Sequence, residues 1–247
     1  MRFKRVFVKS YKVNILNMVL NFIGNLFFTY CMIVAIALIL FSSVTTECKV
    51  VGASMQPTFN TDIRKPSDIV YVNKYDRDFQ FGDIVVVNMG EGKSSIIKRV
   101  IGVGGDLIDI VYTEDGYKLE INGKLIEEDY LLIKNTDSNG NPCKPSNGNE
   151  NSMTILKTEL LENKPELFED VSVNGVTVKK LRVPEGEVFV MGDNRHVSQD
   201  STHYGTFKLE KLDGIVERAR YSDITEFRFY WDYIINGEFF NTISNCF

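Results

Sequence analysis

Three groups of residues have the types and spacing for acyl-transfer chemistry. The first is Gly52-Ala53-Ser54-Met55-Gln56-Pro57-Thr58-Phe59, where one hydroxyl, Ser54, stands among small residues, an apolar Met and a chain-stiffening Pro. A serine hydroxyl is a weak nucleophile until a neighbouring base takes its proton. The second group offers such a base. In Ile96-Ile97-Lys98-Arg99-Val100-Ile101, two-residue alternation puts Lys98 on the same strand face as Ile96 and Val100. Buried there, a lysine loses solvation, its pKa falls from about 10.4, and the neutral amine can act as a general base near neutral pH. An edge-strand lysine that deters aggregation would show the same pattern. The third group, Gly192-Asp193-Asn194-Arg195-His196-Val197-Ser198-Gln199-Asp200-Ser201, follows the strand-like Val188 to Met191. Polar residues this dense usually make a turn, yet Asp193, Asn194, Ser198 and Asp200 could also orient a base. His196 raises a Ser-His-Asp triad, but the chain has only two histidines and no G-x-S-x-G elbow.

The elements that must position these groups are mostly strands. Ile69 to Val72, Ile84 to Val87, Ser95 to Val103, Leu107 to Tyr112, Tyr117 to Ile121 and Glu187 to Met191 are short runs rich in β-branched residues, separated by Gly, Asn and Asp. Asp115-Gly116, Asn122-Gly123 and Asn174-Gly175 are hairpin signals. The pattern predicts a mainly β domain, an antiparallel sheet partly closed into a barrel. Residues 135–164 differ, with Asn139-Gly140, Asn147-Gly148, Pro142 and Pro145. They read as an Asn-rich surface insertion with a short helix near Met153 to Leu161, one that should tolerate shortening.

Ahead of the strands lies an apolar segment. No charged residue occurs from Val13 to Thr46, and Leu26 to Phe41 is nearly all apolar. A run of about 20 such residues spans a bilayer core, and this one outlasts the core of a cleaved secretory signal. Arg2, Lys4, Arg5, Lys9 and Lys12 precede it, and the first acidic residue is Glu47. The positive-inside bias then predicts a basic cytoplasmic segment over 1–18, a transmembrane helix over 19–46 and an extracytoplasmic domain over 47–247. Ser54, about ten residues past the apolar run at roughly 3.3 Å each, stays near the outer bilayer surface.

A net charge of −5 across 247 residues, with the N-terminal basic residues on the cytoplasmic side, argues against nucleic-acid binding. Of the four cysteines, Cys31 falls within the apolar run, which leaves Cys48, Cys143 and Cys246, an odd number, for an oxidising exterior. No C-x-x-C or H-E-x-x-H occurs and the only imidazoles are His196 and His203, so no zinc site is expected, and acyl transfer by a serine and a lysine requires no metal or organic cofactor. The tail from Phe227 to Phe247 carries Phe229, Tyr230, Trp231, Tyr233, Phe239 and Phe240, interrupted by Arg228, Asp232 and Glu238. Core packing is the more common role for such aromatics, with an interfacial contact as the alternative.

Taken together, the chain resembles the bacterial type I signal peptidases, membrane-bound Ser-Lys proteases. The matching blocks are Gly52 to Thr58 as G-x-S-M-x-P-T, Gly82 to Val85, Lys98 to Gly102, and Gly192 to Arg195 continuing through Ser198-Gln199-Asp200-Ser201 to Gly205. Four blocks in one order, behind an apolar anchor, are far more specific than any one alone. The resemblance implies Ser54 as nucleophile, Lys98 as general base, and Ser198 as a hydroxyl that hydrogen-bonds the lysine. It implies supporting roles for Gly192, Asp193 and Asp200, and a substrate groove lined by Met55, Pro57 and Ile96. The implied substrates are signal-peptide-bearing pre-proteins with small residues at the first and third positions before the cut. The enzyme is expected to act as a monomer at the outer face of the plasma membrane. Gly52 occupies the place where some relatives add an oxyanion-hole hydroxyl, leaving backbone donation. Gly104 replaces a usual Pro. Thr202 stands where an Arg commonly pairs with the aspartate matched by Asp200, so Asp200 is expected to turn to another partner such as Arg99 or Arg195, or to sit in a looser loop. After Gly205 the pattern fades, with Gly214-Ile215-Val216 in place of Gly-Lys-Ala. Two other readings remain: a self-cleaving repressor-type peptidase, which is cytosolic, and a catalytically inactive membrane-tethered binding module.

Overall fold

The computed structural model describes residues 15–62, 65–136 and 142–221, without the side chains of 41–43 and 135–144. The basic residues Arg2 to Lys12, the aromatic tail from Phe227, Cys246 and the side chain of Cys143 lie outside what is described. The chain forms two compact units, Met1–Ser43 and Val44–Phe247.

The described residues of the first unit form one helix, Ile15–Val44, whose last residue falls in the second unit. It covers the expected apolar run and ends where β-branched Thr45 and Thr46 begin a strand. Its stretch Ile15–Leu40 spans 26 residues with mean hydropathy 2.3 and no buried share. At 1.5 Å rise per residue that is about 39 Å, longer than the ~30 Å of a bilayer core.

The second unit is built on strands. In chain order they are β1 (Thr45–Lys49), β2 (Ile69–Asn73), β3 (Ile84–Val87), β4 (Ile96–Val103), β5 (Leu107–Thr113), β6 (Gly116–Ile121) and β7 (Lys124–Leu125). There follow β8 (Lys134–Thr136), β9 (Pro142–Ser146), β10 (Phe168–Val173), β11 (Val176–Arg182), β12 (Glu187–Met191), β13 (Phe207–Lys208) and β14 (Leu212–Arg220). A seven-stranded antiparallel sheet, ordered β1-β2-β14-β3-β4-β12-β13, curls as a half-barrel, and a five-stranded sheet runs β10-β11-β5-β6-β7. The turns follow local chemistry. Asn122-Gly123 and Asn174-Gly175 both take positive φ, as tight hairpins require.

Alternation along β4 and β12 explains how the sheets share one interior. Val100, Val188 and Val190 enter one buried cluster with Val85 and Val87. Their neighbours Ile101, Phe189 and Met191 enter another, with Ile108, Leu119 and Leu181 of the second sheet. Strands covered on both faces are rigid supports for whatever stands at their ends.

The insertion is not the detachable surface loop expected. Its second half forms the helix Asn149–Ile155, which continues through a π-helical turn Leu156–Leu160 to Asn163. Leu156 and Leu160, one turn apart, are 0% and 1% exposed and belong to the larger core cluster. Removing this half would open that core.

Candidate active site

The segment 50–60 is tied down by a residue that sequence reasoning missed. Asn60 takes positive φ and donates through Nδ2 to the carbonyls of Val50 (3.0 Å) and Gly52 (3.1 Å). Asn60 is fixed in turn by Asp68, through Asn60 N–H to Asp68 Oδ2 (2.7 Å) and Asp68 N–H to Asn60 Oδ1 (3.0 Å). Met55, 1% exposed, anchors the segment in a cluster with Val50, Phe59, Val70, Val72 and Val86. Of the three residues expected along the substrate groove, Ile96 stands in the wall of the groove beside Ser54, Met55 is buried in this cluster, and Pro57 is exposed.

Ser54 and Lys98, 44 residues apart in the chain, meet here. Lys98 Nζ lies 2.9 Å from Ser54 Oγ and donates to Ile97 O at 2.8 Å, with the residue 3% exposed. Desolvation pushes the Lys98 pKa below its ordinary value, and the carboxylates of Asp200 and Asp193 pull it partly back. Burial is the largest cause, so the neutral amine is favoured more than in water. Ser54 and Lys98 open onto a groove of about 520 Å³, whose walls include Val50, Ile96, Ile97 and Asp213.

The turn after β12 holds both partners from behind. Asn194 donates its N–H to Ser54 O (2.9 Å) and its Nδ2 to Ala53 O (3.0 Å). Asp193, fully buried, takes both Arg99 Nε (2.8 Å) and Arg99 Nη2 (2.7 Å) in a bidentate pair and accepts from Thr58 Oγ1. Arg99 neighbours Lys98 on β4, so this pair ties the turn to the strand that presents the amine. Gly192 has no room for a side chain: an added Cβ would lie 2.3 Å from Ser198 Oγ and 2.5 Å from Ser54 O.

Two expectations for this turn need correction. Asp200 turns to neither Arg99 nor Arg195. Its carboxylate accepts Gly192 N–H (2.9 Å), Thr202 N–H (3.1 Å) and Thr202 Oγ1–H (2.9 Å). Thr202 thus satisfies the aspartate locally, and Asp200 in accepting its N–H caps the helical turn Ser201–Tyr204. Arg195 goes elsewhere, fully buried between Glu128, Asn149 and Gly192 O. Ser198 is buried beside Gly192, but its Oγ makes no hydrogen bond among the described residues, to Lys98 included. Packing, not hydrogen bonding, is its contact with the site. His196 points away from any triad, its Nε2 lying 3.1 Å from Ser146 O.

Known proteins resemble this chain over most of its length. The family described as signal peptidase, peptidase S26, matches residues 23–221. A Signal peptidase I of Streptococcus pneumoniae is 35% identical over 205 residues, covering 81% of this chain and 93% of that protein. One from Bacillus caldolyticus is 32% identical, with 82% and 91% covered, and Signal peptidase I V of Bacillus subtilis is 30% identical, with 75% and 92% covered. By the extent of the match and these near full-length likenesses, the chain belongs to the signal peptidase S26 family.

Proposed function

We propose that this chain is a membrane-anchored serine endopeptidase that removes signal peptides from exported pre-proteins, with Ser54 as nucleophile and Lys98 as general base. The observation that carries this reading is the 2.9 Å approach of Lys98 Nζ to Ser54 Oγ, with the amine buried and its pKa depressed. In the first step Ser54 Oγ attacks the scissile carbonyl carbon while its proton passes to Lys98 Nζ. The tetrahedral oxyanion is held by backbone donation, the Ser54 N–H among the donors, each typically worth about 2.7 to 4 kcal/mol. Lys98 returns the proton to the leaving amine as the C–N bond breaks, leaving an acyl ester on Ser54. Water then adds to the ester as Lys98 takes its proton, and the second tetrahedral intermediate collapses by breaking the C–Oγ bond, Lys98 returning the proton to Ser54 Oγ as the acid leaves.

The other residues act through these two. Asn194 fixes the carbonyls of Ala53 and Ser54, and the Asp193–Arg99 pair fixes β4 behind Lys98. A positioned nucleophile and base convert an encounter into an intramolecular step, the larger part of what such rigidity contributes. The helix Ile15–Val44 serves as a single anchor with the N-terminus cytoplasmic, as the basic residues before it favour. The domain after it works outside, as a monomer, on signal peptides and not on nucleic acid.

The test is cleavage of a signal-peptide-bearing pre-protein by the purified full chain in detergent. Wild type should release the mature protein, and Ser54→Ala should abolish release while the protein stays folded. Equal cleavage by both would remove Ser54 from the chemistry, and cleavage by neither would favour an inactive binding module.

A further inference from the structure

The groove onto which Ser54 and Lys98 open also has a carboxylate in its wall, that of Asp213. The pairing of β14 with β3 shifts register between Leu212 and Gly214, which makes Asp213 the extra residue of a β-bulge. A bulge re-aims the side chain it inserts, here into the groove that Asp213 lines together with Cys48, Ser94 and Ser95. The bulge cannot slide, because a Cβ on the next residue, Gly214, would stand 1.9 Å from Asn73 O.

Asp213 Oδ2 lies 3.5 Å from Ser95 Oγ, at the limit of a hydrogen bond. Among the described residues no lysine or arginine forms an ion pair with it, although Lys49 is exposed along the same groove. Its charge is felt within the groove, since it helps burial to push the Cys48 thiol pKa up. It is not among the carboxylates that act on Lys98, which are Asp200 and Asp193. Ser95 precedes Lys98 by three residues of extended chain, about 10 Å at roughly 3.3 Å each. A substrate lying extended in the groove would cover that distance in a similar number of residues.

Resting on the proposed endopeptidase function, we infer that Asp213 is a specificity-determining residue. It accepts hydrogen bonds from a lysine or arginine side chain carried by the substrate about two to four positions from the scissile bond, and it disfavours a carboxylate there. A half-exposed carboxylate beside an apolar wall attracts a substrate cation more than one in open water would.

The experiment uses the full chain in a neutral detergent at low salt, with one cleavable signal-peptide sequence as scaffold. Lys, Gln or Glu is placed in turn at the second, third and fourth positions on each side of the cut, and kcat/KM is measured for each. At one position Lys should exceed Glu by roughly tenfold, with a ratio that shrinks as salt is added. Asp213→Asn, of the same shape, should collapse that ratio toward one, and Asp213→Glu should keep most of it. Ser54-dependent cleavage with no charge preference at any position, or a preference that survives Asp213→Asn, overturns the subsite and leaves the protease reading intact. Absence of any Ser54-dependent cleavage overturns the protease reading and the subsite with it.

Discussion

Gly192→Ala is the substitution for which the site gives the sharpest expectation. The new Cβ would be 2.3 Å from Ser198 Oγ, 2.7 Å from Ser198 Cβ and 2.5 Å from Ser54 O, where ordinary contact begins at 3.4 Å. The Ser198 hydroxyl has no hydrogen bond to lose and can rotate aside, although Ser198 Cβ, at 2.7 Å, must also give way. The Ser54 carbonyl cannot: it must retreat by about 0.9 Å to reach ordinary contact, and it is also the acceptor of Asn194 N–H at 2.9 Å. Overpacking of this kind costs about 1–3 kcal/mol of stability. A displacement near 1 Å at a reacting group can cost on the order of 10²-fold in rate. Purified Gly192→Ala should therefore remain folded, with a lowered denaturation midpoint, and lose about two orders of magnitude in kcat/KM on a pre-protein. Adding Ser198→Ala should restore little, because the carbonyl clash remains. Wild-type kcat/KM in Gly192→Ala would refute the argument that this glycine sets the position of Ser54.

Three further outcomes follow from the packing and electrostatics. Leu156→Ala should destabilise the protein by about 2–5 kcal/mol in urea unfolding, since that side chain is fully buried in the larger cluster; a loss below 1 kcal/mol would return the insertion to the surface. Thr202→Val removes the 2.9 Å hydroxyl bond to the buried Asp200 carboxylate, so chemical denaturation should register a loss of about 1.5–3 kcal/mol. Lys98→Met should abolish cleavage yet raise Tm at neutral pH, because the folded state depresses the lysine pKa and so binds fewer protons than the unfolded chain. Wild-type stability accordingly rises with pH between the depressed folded value and the ordinary ~10.4, and the penalty is complete below that window; the Met variant should lack this dependence.

The parts of the site legible in the sequence were those fixed by local pattern. Ser54 and Lys98 are suggestive singly, through small and stiff neighbours and an apolar alternation, and become specific only as members of four blocks in one order, while the hairpins show in Asn122-Gly123 and Asn174-Gly175. What depended on partners far away in the chain was not legible. Asn60 looks like any loop asparagine until Asp68 and the Val50 carbonyl close around it. Leu156 and Leu160 carry a helical spacing, but the Asn- and Pro-rich flanks masked the core they complete. Met55 sits beside Ser54 in sequence, yet its burial among Val50, Phe59, Val70, Val72 and Val86 depends on strands far along the chain. Asp200 was expected to need a distant arginine because its charge invites one, whereas Thr202, two residues on, meets it with both N–H and hydroxyl. The bulge that re-aims Asp213 is a register shift between strands, which a single strand's pattern cannot reveal.

The central claim is that a neutral Lys98 takes the proton of Ser54, and the pH dependence of kcat/KM, measured beside Lys98→Arg, tests it most directly. A guanidinium stays protonated at every working pH and cannot accept that proton. Wild-type cleavage should rise with pH through a single ionisation whose midpoint lies below the ordinary lysine value of about 10.4, and fall as acid protonates the amine. Lys98→Arg should fold and bind signal peptide while losing cleavage by several orders of magnitude at every pH. Near-normal cleavage by the Arg variant, or a wild-type midpoint at or above the ordinary lysine value, would contradict the Ser-Lys mechanism.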